Sequence, residues 1–208
     1  LSLISRAGRI ALDMSLAGGG LSAAPKTAPK DGWLHIAAVW DCSKGYALFL
    51  DGTEAARREA SWTPVFTPQI VVGSGFSERW NECARGAIDE LRIYDAPLSP
   101  DQVRALFEGR LDLPKGRIVS PEAGSVPSAP SGDRRPAREL FRLSFDEGLN
   151  AATTAGPLAP LAAAAPEIGE GLRGKAGRFD AGRFLKYPAR GALNKTEGTL
   201  SVWYRPDW

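Results

Sequence analysis

Hydrophobic and polar positions alternate with a period of two over much of the chain. Ile10, Leu12, Met14 and Leu16 alternate with Ala11, Asp13 and Ser15, the pattern of a half-buried strand. Another strand is expected at residues 1–5. Trp33–Trp40 has a centre, Ile36-Ala37-Ala38-Val39, that is apolar on both faces, as in a strand inside a sandwich. Tyr46–Leu50 and the polar segment 53–59 flank Asp51-Gly52, a type I′ hairpin signal because both central positions need positive φ. Ile70–Gly73 predicts a short strand and 86–94 a longer one. After a gap, Leu140, Arg142 and Ser144 alternate with Phe141, Leu143 and Phe145. In 197–208, Leu200, Val202 and Tyr204 point one way and Thr199, Ser201 and Trp203 the other.

One segment breaks this period. Ser99 suits an N-cap, Pro100 the first helical position, and Gln102 the third residue of a capping box. Leu98 and Val103 stand at the positions of a hydrophobic staple, and Gly109 at C′. A short helix over 100–108 follows. Residues 111–138 are rich in Pro, Ser and Gly, lack periodicity and read as a linker, because they bury too little apolar surface to offset chain entropy.

Three stretches in order carry a family resemblance: GWLHIAAVWD (32–41), YALFLDGTE (46–54) and GAIDELRIYDAPLSPDQVRALFEG (86–109). Together they resemble the C-terminal half of a laminin-G-like, concanavalin A-like jelly-roll domain. ELFRLSFDEGLN (139–150), GLRGKAGRFDAGRFLKYP (171–188) and EGTLSVWYRPDW (197–208) resemble the N-terminal half. The expected fold is therefore an all-β antiparallel jelly-roll β-sandwich with one short helix, assembled in circularly permuted order. The expected organisation is residues 1–110 as one half, 111–138 as linker and 139–208 as the other half. The order of the halves reads as a fragment of a tandem repeat, spanning the end of one unit and the start of the next. Either half alone would expose strand edges and an apolar face, so the two are expected to dock, with 139–145 pairing 87–94.

Composition narrows the function. The chain has 208 residues, 43% hydrophobic and 24% charged, as in an ordinary globular protein, while 23 Gly and 16 Pro favour a turn-rich architecture. A net charge of +2, with both signs interspersed, argues against nucleic acid. No apolar run approaches the ~20 residues of a membrane span. With one His, His35, and no Cys/His cluster, a zinc site is not expected. Cys42 and Cys83 are either a disulfide pair or two buried thiols.

No E-x-D-x-x-E pattern, G-x-S-x-G or phosphate-binding loop occurs, so no enzyme is expected and His35 reads as a packed strand residue. Asp89 is expected on the core-directed face with Leu91 and Ile93, opposite Glu90, so that Asp89→Ala should cost more than Glu90→Ala. The resemblance implies calcium where the first and last strands meet, with Asp89, Asp146 and Glu147 converging; the alternative is that Asp89 caps backbone amides or pairs with Arg92. Trp62, Phe76, Arg79 and Trp80 are candidates for a ligand face, aromatic platforms with a polar neighbour suiting sugars. Trp33, Trp40 and Trp203 read as core. Asn194-Lys195-Thr196 fits a glycosylation sequon.

The expected role is a non-catalytic module of a secreted or cell-surface multidomain protein. It would recognise carbohydrate or an extracellular protein surface beside neighbouring domains of a longer chain. A spacer in a repeat array, or an accessory domain of a glycoside hydrolase, are the alternatives.

Overall fold

The computed structural model describes residues 2–6, 9–14, 19–25, 31–65, 68–73, 84–111 and 136–207. The strands are β1 (Ser2–Arg6), β2 (Arg9–Met14), β3 (Gly19–Ala23), β4 (Leu34–Asp41), β5 (Gly45–Leu50), β6 (Thr53–Glu59), β7 (Gln69–Val72) and β8 (Gly86–Tyr94). The helix α1 (Pro100–Phe107) is followed by β9 (Glu139–Leu143), β10 (Ala151–Thr153), β11 (Gly156–Leu158) and β12 (Ala162–Ala164). β13 (Glu167–Glu170), β14 (Lys175–Phe179), β15 (Phe184–Pro188) and β16 (Glu197–Pro206) complete the order.

All pairings are antiparallel. The large sheet runs β11-β10-β9-β8-β16-β4-β5-β6, and β14, with β13 beside it, pairs the start of β8. Two three-stranded sheets, β1-β2-β3 and β12-β15-β7, form the second layer of an all-β sandwich. Ile10 and Leu12 from one of them, and Ile70, Val72, Leu185 and Tyr187 from the other, share a core with Leu48, Ile93, Phe141 and Val202 of the large sheet. Apolar side chains on a period of two thus meet from both layers, removing both faces from water.

Residues from both halves of the chain build the large sheet. Leu91 pairs with Leu143 and Ile93 with Phe141, joining β8 to β9. Asp95 seals that seam, accepting hydrogen bonds from the Arg138 amide at 2.8 Å and Arg138 Nε at 3.0 Å. β16 lies between β8 and β4, so a strand near residue 200 joins two strands of the first half. The 111–138 segment lies almost wholly outside the described residues.

Local chemistry sets the details. Asp51 and Gly52 have φ of 47° and 71°, the mirror-image turn that matches the twist of β5 and β6. The capping box on α1 is complete: Gln102 N donates to Ser99 Oγ at 3.3 Å, and the Ser99 amide donates to Gln102 Oε1 at 2.9 Å. Leu98, Val103 and Leu106 bury one side of the helix against Ala37, Ala47, Phe49 and Tyr94, on the outer face of the large sheet.

Strand β8 departs from its expected alternation. Arg92 pairs with Ser201 and Asp89 with Trp203, so Glu90 and Leu91 oppose Val202 alone. This is a β-bulge, with Glu90 at φ 49°. The extra residue reverses the side-chain phase. Ile88, Leu91 and Ile93 join the inner core, whereas Asp89 falls on the outer face with its partner Trp203. The expectation that Asp89 shares the face of Leu91 and Ile93 is corrected on this ground, as is the placement of Glu90 away from it.

Candidate functional site

The bulge concentrates polar chemistry on the outer face, beside α1. Asp89 is fully buried and Glu90 is 3% exposed. Glu90 Oε1 accepts from Arg142 Nη2 at 2.7 Å, and its Oε2 accepts from Arg92 Nε at 2.9 Å and also from Arg92 Nη2. Arg92 Nη1 reaches Glu139 Oε2 at 3.5 Å. Although burial opposes ionisation, the two guanidiniums hold the Glu90 carboxyl below the usual carboxylate range. Arg92 and Arg142 face each other across β8 and β9, which is why the carboxylate between them is needed.

Next to this network, His35 Nε2 lies 2.9 Å from Ser201 Oγ. The His35 ring packs on Trp203 with centroids 5.1 Å apart, and Trp203 stacks on Phe107 at 5.7 Å. Burial, and secondarily Arg92, pushes the imidazole down to about 3, so it is neutral at physiological pH. Glu90, Arg92, Arg142, Arg173, Ser201 and Trp203 line a pocket of about 210 Å³ with Leu106, Gly109 and Leu111. The sequence named none of these as ligand-facing. Its one signal was two adjacent acids inside an apolar strand.

The candidate calcium ligands are used differently. Asp89 Oδ2 accepts from the Arg173 amide at 3.0 Å, and Asp146 Oδ1 from the Lys175 amide at 2.8 Å. Both aspartates therefore hold the turn between β13 and β14. Gly171 is required there, since a Cβ would lie 2.7 Å from Asp89 Oδ2. Asp146 and Glu147 are exposed while Asp89 is buried. Among the described residues no group of three or more His, Cys, Asp or Glu converges. Calcium takes six to eight oxygens, and this donor set does not fit it. Burial raises the Asp89 carboxyl to about 6 against the lowering effect of the Arg173 amide, and Glu90 raises it further. Its Oδ1 has no hydrogen-bond partner.

Of the candidate ligand residues, Trp62 is described. It is half-buried, packs edge-on to Tyr46 at 5.8 Å, and its amide donates to Cys42 O at 3.0 Å. With Asp41, Cys42, Ser43, Thr196 and Glu197 it lines an open cavity of about 300 Å³. Phe76, Arg79 and Trp80 lie outside the described residues. So does Cys83; Cys42 carries a free thiol, which donates to Lys195 O at 3.4 Å and which burial pushes up to about 11. Trp40 belongs to the main core, and Trp33 to a smaller cluster against which Trp203 packs. The sequon residue Asn194 accepts from Thr196 Oγ1 at 2.9 Å and donates to Asp95 O at 3.1 Å.

Residues 2–104 match a laminin-G family model described as the Concanavalin A-like lectin/glucanases superfamily. No curated protein and no solved structure matches the chain. No helix among the described residues is long and apolar enough to cross a membrane.

Proposed function

We propose, for a chain whose residues 2–104 belong to the Concanavalin A-like lectin/glucanases superfamily, that this jelly roll is a non-catalytic carbohydrate-binding module. Its setting is a secreted or cell-surface multidomain protein. The observation that carries the reading is Trp62, a half-buried indole at the rim of an open cavity beside Asp41, Ser43, Thr196 and Glu197. An indole offers a flat apolar face for the C–H surface of a sugar, and carboxylates and hydroxyls offer directional partners for its hydroxyls. The Tyr46 ring braces Trp62, which lowers the ordering cost of a contact.

The absence of catalysis in this reading is supported by His35. A fully buried imidazole held down to about 3 is a poor general base at neutral pH, although it touches a serine hydroxyl. A glycan array followed by titration of the strongest hit tests the module. Reproducible hits that Trp62→Ala weakens about tenfold or more support it. No hits, or hits indifferent to Trp62→Ala, favour a structural spacer.

A further inference from the structure

We propose that the pocket beside α1, on the outer face of the large sheet, binds the oxyanion group of a small acidic ligand through Arg142, Arg173 and the Ser201 hydroxyl. This site is separate from the Trp62 cavity, and the inference does not rest on it.

Three guanidiniums line the pocket, from Arg92, Arg142 and Arg173, against a single carboxylate, Glu90. Both Glu90 oxygens are already engaged, one by Arg92 and one by Arg142. Arg92 is spent between Glu90 and Glu139. Arg142 gives Nη2 to Glu90, and its buried Nε has no partner. Arg173 forms no ion pair among the described residues; its backbone amide, not its guanidinium, holds Asp89. A buried N–H without an acceptor carries a desolvation cost, and a small turn of the 36% exposed Arg142 side chain toward an incoming oxygen relieves it.

Ser201 adds a third donor. His35 Nδ1 is buried without a partner. A proton on Nε2 makes that orphan a bare acceptor, whereas a proton on Nδ1 would bury an unpaired N–H; Nε2 is assigned the proton on this ground. His35 then donates to Ser201 Oγ, which leaves the serine hydrogen to donate into the pocket that Ser201 lines. A pocket whose charged acceptor is saturated and whose donors are not suits a carboxylate or sulfate, because charge-assisted bonds to guanidinium are the strong ones. A volume of about 210 Å³ suits a single acidic ring, not a polymer surface.

The test uses the full chain, with NMR of the arginine Nε–H resonances. Sodium glucuronate and glucose 6-sulfate distinguish the carboxylate from the sulfate form, with glucose as the neutral control. Saturable shifts of the Arg142 Nε–H with either acidic probe, and none with glucose, are expected. Arg173→Gln, at an exposed side chain, should weaken that binding about tenfold, in keeping with loss of a charge-assisted hydrogen bond. Arg183→Gln removes the same charge from the exposed Asp180 pair and should leave it unchanged. The proposal is overturned if neither acidic probe shifts Arg142, if glucose shifts it equally, or if Arg173→Gln and Arg183→Gln behave alike.

Discussion

His35 and Ser201 meet at 2.9 Å although 166 positions separate them in sequence. The contact exists because β16 sits between β4 and β8, bringing a serine from one half of the chain onto a histidine from the other. Its neighbours Glu90, Arg92 and Arg142 are likewise drawn from both halves.

The buried acid and base make acid stability depend on opposing groups. His35 titrates at 6.5 in an unfolded chain and near 3 when folded, so the unfolded state binds more protons between those values. Its contribution is lost as pH falls from about 6.5 towards 3. Asp89 runs the other way, from 3.8 unfolded to about 6 folded, and its contribution is lost as pH rises through 6. Asp89→Asn keeps an acceptor for the Arg173 amide but cannot titrate. Urea unfolding from pH 4 to 7 should show a steeper rise of stability with pH in Asp89→Asn than in the wild type. Equal slopes would count against a buried, proton-retaining Asp89.

Glu90→Ala should cost more than Asp89→Ala, the opposite of the order expected from sequence. Glu90→Ala strands two guanidiniums and should cost roughly 2–4 kcal/mol, below the fully buried limit because Arg142 is 36% exposed. Asp89→Ala loses one hydrogen bond to the Arg173 amide, about 1 kcal/mol, and also removes a desolvated carboxylate that opposes folding. Denaturant midpoints of the two variants decide the order. A larger loss for Asp89→Ala would restore the sequence-based ranking.

Calcium should not stabilise this chain through Asp89, Asp146 and Glu147. Asp89 and Asp146 cap the amides of Arg173 and Lys175, Glu147 is exposed, and among the described residues no group of three such side chains gathers. Thermal melts of EDTA-treated protein with and without millimolar calcium should coincide. An upward shift abolished by Asp146→Asn would show that the acids gather around an ion after all.

The two halves should also complement each other as separate chains. Without β16, β8 and β4 have no shared partner, and β9 is the strand that covers the end of β8 beyond the bulge. Residues 1–111 alone should give no cooperative melt, and mixing them with residues 136–208 should restore one, followed by circular dichroism. A cooperative transition in either piece alone would contradict this.

Much of the fold was legible because its rules are local. The Ser99 capping box, the Asp51-Gly52 turn and the phase of Leu200, Val202 and Tyr204 each depend on residues within a few positions, and each is present. The pairing of 139–143 with β8 was legible from the family pattern and from the edges each half would expose. The site was not. A bulge at Glu90 carries no strong sequence mark, since a glutamate at φ 49° breaks the usual preference for glycine, and one inserted residue moves Asp89 to the other face. No sequence pattern singles out Arg142 or Arg173; β9 and the turn before β14 place them beside Glu90. Trp62 was legible as an aromatic in a loop, but its companions Asp41 and Glu197 come from strands that only the fold brings together.

The ends of the large sheet bear on how copies of this chain behave when concentrated. β6 reads Thr-Glu-Ala-Ala-Arg-Arg-Glu and is exposed along nearly all its length, and β11, at the other end, is three residues with Pro157 at its centre. Charges of both signs, brevity and a missing backbone donor each discourage a foreign strand from adding to a sheet. Neighbouring copies can therefore crowd at high local concentration without zipping edge to edge. Destabilisation that frays β9 away from β8 would uncover an apolar edge with no such guard, making that seam the place where aggregation begins.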